Sequence, residues 1–108
     1  KLERIQHLPL AVTAITVFEV LYGFFRRGEA KKTDAAMEFF SSVQMLGTDV
    51  SGAYKAAQIA GELARKGQMI EEFDSLIAGS MLANGCRSIL TSNVKDFRRI
   101  KEVTIFNP

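Results

Sequence analysis

Between Leu8 and Phe25 the chain carries one charged residue, Glu19, and a stretch that apolar must be buried, either in a bilayer or in a protein core. A membrane span does not fit. Pro9, Thr13, Thr16, Glu19 and Gly23 interrupt the run and divide it into two pieces of different period. Leu10 to Thr13 has the short, partly β-branched character of a buried strand. Beyond it, Val20, Leu21, Phe24 and Phe25 continue as a helix would, and Thr16 with Glu19 has the Ser/Thr-x-x-Glu form of an N-terminal capping box. Gly28 is expected to end this helix. The run lacks the basic segment and small-residue cleavage site of a secretory signal.

Strand-like and helix-like pieces go on alternating. A helix is predicted from Thr33 or Asp34, with Ala36, Met37, Phe40 and Val43 at helical spacing, and Gly47 stops it or a short strand after it. From Asp49 or Ser51, the residues Ala53, Ala56, Ala57, Ala60, Leu63 and Ala64 mark one helical face that ends in Arg65, Lys66 and Gly67. Phe73, Leu76, Ile77, Ser80 and Met81 form the next face, closed by Asn84 and Gly85. A buried strand over Ser88 to Thr91, a short helix over Val94 to Ile100 and a strand over Val103 to Phe106 complete the pattern. Such alternation implies βαβ units, an α/β fold and a mostly parallel sheet. The 108 residues suffice for a single domain. Lys1 to Leu8 reads like the end of a helix, and the first residue is not Met, so a longer parent protein is expected.

Composition removes several classes of function. With 47% hydrophobic and 24% charged residues the chain has enough apolar surface for a core. A net charge of +2 is too small to imply a nucleic-acid partner without local clustering. Cys86 and His7 stand alone in their types, so neither an internal disulfide nor a Cys/His zinc site can form within the chain, and a reducing, cytoplasmic setting is expected.

Carboxylates carry the remaining signal. Asp74 shares a helical stripe with Ile77, Ala78 and Met81, which puts its charge at the edge of a buried face, where a charge without a partner is costly. The plain alternative is a helix N-terminal acid stabilised by the dipole, in company with Glu71 and Glu72. Glu19 lies where open α/β sheets place ligand sites, although the capping box offers it a purely structural role. Asn93 and Asp96 directly follow a strand, and either one coordinates a metal or caps the next helix. Clustered carboxylates without His or Cys suit a hard cation such as Mg²⁺ or Mn²⁺.

Three segments together resemble one family. Thr13-Ala-Ile-Thr-Val-Phe-Glu19-Val-Leu-Tyr-Gly23, Glu72-Phe-Asp74-Ser-Leu-Ile-Ala78 and Leu90-Thr-Ser-Asn93-Val-Lys-Asp96-Phe97, with the ending Phe106-Asn-Pro108, are similar in order and spacing to PIN-domain ribonucleases of the VapC toxin type. The resemblance implies a three-layer α/β sandwich, with a central mostly parallel sheet and helices on both faces. It also implies a metal-dependent endoribonuclease using Mg²⁺ or Mn²⁺. By position, Glu19 and Asp74 match two metal-binding acids of the family, Asn93 falls near a further acidic position, and Asp96 is its neighbour. All four are candidate catalytic residues.

The family opens with a central strand ending in a catalytic Asp, and no residue before Lys1 supplies it here. A sheet lacking that strand would expose two apolar edges, and this chain alone is expected to be unstable and to bind metal more weakly. RNA as substrate, a cognate antitoxin and a homodimer are the implied partners; no membrane is involved. The alternative is a non-catalytic PIN-like module that binds RNA or protein. Arg26-Arg27, Lys31-Lys32 and Arg98-Arg99 with Lys101 are candidate phosphate contacts or plain solvated faces, while Phe24, Phe25, Phe39 and Phe40 are expected to fill the core, the alternative being a groove or dimer face.

Overall fold

The computed structural model describes residues 11–91 and 93–107, and the chain divides between Gly47 and Thr48 into two compact units. The expected residues Lys1 to Leu10, Ser92 and Pro108 lie outside the described residues.

The first unit holds strand β1 (Ala11–Thr13), helix α1 (Ala14–Arg26), helix α2 (Lys32–Ser41) and strand β2 (Gln44–Leu46). β1 and β2 pair in parallel with Val12 opposite Met45. The chain passes from strand to helix without a loop because Thr13 serves both. Its extended backbone ends β1, and its Oγ1 accepts from the Thr16 N–H at 3.1 Å and meets the Thr16 hydroxyl at 3.0 Å. The N-cap is therefore Thr13, and the capping box expected at Thr16 and Glu19 does not form. With Thr13 as N-cap, Glu19 sits in the second turn of α1 and not at the third helical position that a capping box uses. Thr13 is 1% exposed. Thr13→Ala is expected to cost about 1–2 kcal/mol in thermal denaturation, with Thr13→Ser recovering most of the loss.

The phenylalanines divide. Phe40 is buried, but Phe25 and Phe39 are largely exposed, so they do not all fill the core. Phe18 and Tyr22 stack on the exposed side of α1, with ring centroids 5.8 Å apart. Two of the expected phosphate contacts are already engaged: Arg27 and Lys32 both pair with Glu29, at 2.7 and 2.6 Å.

The second unit holds helix α3 (Val50–Arg65), helix α4 (Glu72–Ala83), strand β3 (Ser88–Leu90), the short helix α5 (Val94–Phe97) and strand β4 (Thr104–Phe106). β3 and β4 pair in parallel with Ile89 opposite Ile105. Asp49 caps α3 by accepting from the Gly52 N–H at 3.0 Å. The buried stripe of α3 is Gly52, Ala56, Ile59 and Leu63, whereas Ala53, Ala57 and Ala64 face outward. Both stripes have helical spacing. The one that packs brings the larger apolar area of Ile59 and Leu63, and its Gly and Ala let α4 approach closely. A Cβ added to Gly79 of α4 would lie 2.5 Å from the Ala56 nitrogen and 2.6 Å from the Gly52 oxygen.

α4 is buried on most sides, including Asp74, Ser75, Ile77, Ala78, Gly79, Ser80 and Met81. The Ser80 hydroxyl meets that of Thr48 at 2.6 Å, which satisfies both groups at the helix contact. Gly85, at φ 75°, turns the chain out of α4 toward β3. Helices alternating with parallel strands place the chain in the α/β class. No helix among the described residues is long and apolar enough to cross a membrane.

Candidate metal centre

Asp74 is the third residue of α4 and is 5% exposed. Its stripe partners Ile77, Ala78 and Met81 are all buried, which carries the carboxylate inward as the helical spacing requires. The N-terminal end of α4 offsets part of the cost of that buried charge.

Asn93 and Asp96 reach Asp74 from the other side of the sequence. The β3–β4 ladder extends to Thr91, whose N–H donates to the Phe106 oxygen, and the Thr91 hydroxyl then accepts from the Asn93 N–H at 3.0 Å. That turn fixes Asn93 at the start of α5. Asn93 occupies the N-cap position, yet its side chain makes no cap bond; its Nδ2 donates to Asp74 Oδ2 at 2.7 Å. Asp96 lies one turn further on and is half-buried. A hydrogen bond with the Asp74 carboxyl holds Asp96 below the ordinary carboxylate range; the Glu71 backbone N–H, the Asn93 side chain and the charge of Arg99 act in the same direction, against burial.

Glu71 is the third acid. It caps α4 by position, with extended backbone, but its side chain makes no cap bond. Glu71, Asp74 and Asp96 each offer a carboxylate oxygen, and these oxygens all lie within 4.8 Å of one another. In the sequence Glu71 shows only as an acid at the start of a helix; what brings it into the cluster is the approach of Asp96 from 25 residues further along. Reading it only as a first-turn acid missed it.

This donor set fits a hard divalent cation. It is all oxygen and tightly grouped, as Mg²⁺ or Mn²⁺ prefers. Three carboxylates so close repel when ionised, and a bound cation would relieve that repulsion. Glu19 lies in the first unit, on α1, and is half-buried.

Carboxylates gathered where a parallel strand leads into a helix define an α/β protein with an acidic, cation-suited centre. The PIN-domain family matches residues 1–103, and the chain belongs to that family. Within it, the likeness is to VapC proteins. The chain is 32% identical over 97 residues to the tRNA(fMet)-specific endonuclease VapC of Salmonella typhimurium, covering 89% of this chain and 73% of that protein. The crystal structure of DNA-bound VapBC from Salmonella typhimurium matches with a TM-score of 0.77 at 32% identity, over 89% of this chain and 73% of that one. VapBC-1 from nontypeable Haemophilus influenzae matches with a TM-score of 0.81 at 25% identity, over 97% and 81%.

Proposed function

We propose that the protein is a metal-dependent endoribonuclease, the toxin of a toxin–antitoxin pair, folded as one three-layer PIN-like domain around a central sheet. The carrying observation is the carboxylate group of Glu71, Asp74 and Asp96, found in a PIN-family chain whose relatives are named as endonucleases. Asp74 is the central ligand and Asp96 its partner, with Asn93 Nδ2 donating to Asp74 Oδ2 and so orienting its carboxylate. Glu19 joins the set through the family resemblance alone.

Bound Mg²⁺ or Mn²⁺ supplies a water activated for in-line attack on a phosphodiester and charge to stabilise the leaving oxygen. The chain's own residues gather negative charge for the cation and keep the acids oriented, with Asp96 held ionised by its neighbours. RNA is the substrate; the name of the Salmonella relative makes a tRNA the first one to try. The VapBC assemblies among the solved relatives support a cognate antitoxin as inhibitory partner. A homodimer and a cytoplasmic setting complete the reading.

Metal removal tests it. Treating the intact gene product with EDTA is expected to abolish RNA cleavage, and excess Mg²⁺ or Mn²⁺ to restore it. Cleavage that survives EDTA, or RNA binding with no cleavage in either cation, would replace this reading with a non-catalytic module or with another chemistry.

A further inference from the structure

Glu71 is carried by the connection between α3 and α4, and two bonds tie that connection to the segment around α5. The Arg99 guanidinium donates through Nη1 to the Met69 carbonyl at 3.0 Å. The Glu71 N–H donates to Asp96 Oδ2 at 3.3 Å. Between these two points the Ile70 side chain is buried. Arg99 lies one turn beyond Asp96, and its own N–H bonds the Asp96 carbonyl at 3.1 Å. One four-residue stretch thus supplies both a carboxylate of the centre and the cation that fastens the segment bearing another.

We propose that Arg99 is a positioning residue of the acidic centre: by holding the Met69 carbonyl it keeps the Glu71 carboxylate within reach of Asp74 and Asp96. The proposal rests on reading that cluster as a metal centre. Arg99 has two effects, and they oppose each other. Its positive charge, felt by Asp96, disfavours a second cation nearby. Its grip on Met69 favours that cation by assembling the ligands. Partners that orient metal ligands typically change metal affinity by 10–100-fold when removed, whereas removing the charge alone would tighten binding.

The test is Mn²⁺ affinity of the intact protein, measured by calorimetry or electron paramagnetic resonance without any RNA. Arg99→Met, which keeps the apolar stem and loses both donor and charge, is expected to weaken Mn²⁺ binding about tenfold. Arg99→Lys, which keeps a donor of similar reach, should stay nearer the parent. Glu71→Gln should weaken binding on its own. In the Glu71→Gln background Arg99→Met should weaken binding no further, because its grip acts through Glu71 and only the opposing charge effect remains; a merely destabilising change would weaken both backgrounds alike. Binding that is lost in Asp74→Asn yet equal or tighter in Arg99→Met, or unchanged in Glu71→Gln, overturns the role of Arg99 and leaves the metal centre standing. A parent protein that binds no Mn²⁺ overturns both.

Discussion

Asp74→Asn is expected to lower RNA cleavage on the order of a thousandfold, about 4 kcal/mol of barrier, while leaving the protein folded and no less stable. The substitution preserves shape. The new amide oxygen still accepts from Asn93 Nδ2, and the new amide N–H is a donor set beside the Asp96 carboxylate. It also removes a charge from a site that is 5% exposed, which relieves both desolvation and repulsion among three crowded carboxylates. What it removes is a negative oxygen for the cation. Stability and activity therefore move in opposite directions, as they do when a strained charge cluster is kept for chemistry. Cleavage rates and melting temperatures of the two proteins check this together. An Asp74→Asn protein that cleaves at the parent rate would exclude Asp74 from the reaction.

Gly79→Ala is expected to destabilise the protein by about 2–3 kcal/mol, although Ala is the better helix former by about 1 kcal/mol. The added Cβ would stand 2.5 Å from the Ala56 nitrogen and 2.6 Å from both the Ala56 Cβ and the Gly52 oxygen. None of these atoms can rotate away, so α3 and α4 must separate and surrender contacts along the Gly52, Ala56, Ile59 and Leu63 stripe. At roughly 4–8 °C per kcal/mol, the melting temperature should fall by more than 8 °C. Gly61 provides the opposite sign. It is exposed on α3 with nothing within 4 Å of an added Cβ, so Gly61→Ala should stabilise by about 0.5–1 kcal/mol. Denaturant titration of both variants checks the pair; equal effects would mean the helix contact does not decide stability.

Some of this was legible in the chain and some was not, for physical reasons. Asp74 could be placed because helical spacing relates it to Ile77, Ala78 and Met81 within one local segment. The order of strands and helices followed from the same local periods, and both strand pairs are parallel as the alternation implied. The capping residue of α1 was misplaced by three positions because Thr13 and Thr16 are both plausible caps, and only the sharp strand-to-helix junction selects Thr13. On α3 two stripes of equal spacing compete. Which one packs depends on the fit of Gly52 and Ala56 to Gly79, a contact between helices that no local pattern contains. Asn93 reads locally as a helix cap, yet it spends its amide on Asp74, 19 residues away. Glu71 was visible as an acid and invisible as part of the centre, because Asp96 comes to it from 25 residues further along.

The most direct test of the account is the chemistry of the cleaved ends. The intact protein should be incubated with Mg²⁺ and an RNA whose cleaved position carries a 2′-deoxy sugar. Attack by a water on phosphorus needs no 2′-hydroxyl, so the account predicts cleavage that persists on this substrate, requires the cation, disappears in Asp74→Asn and leaves no cyclic phosphate. Cleavage blocked by the 2′-deoxy sugar, with 2′,3′-cyclic phosphate on the products of the all-ribose RNA, would contradict it.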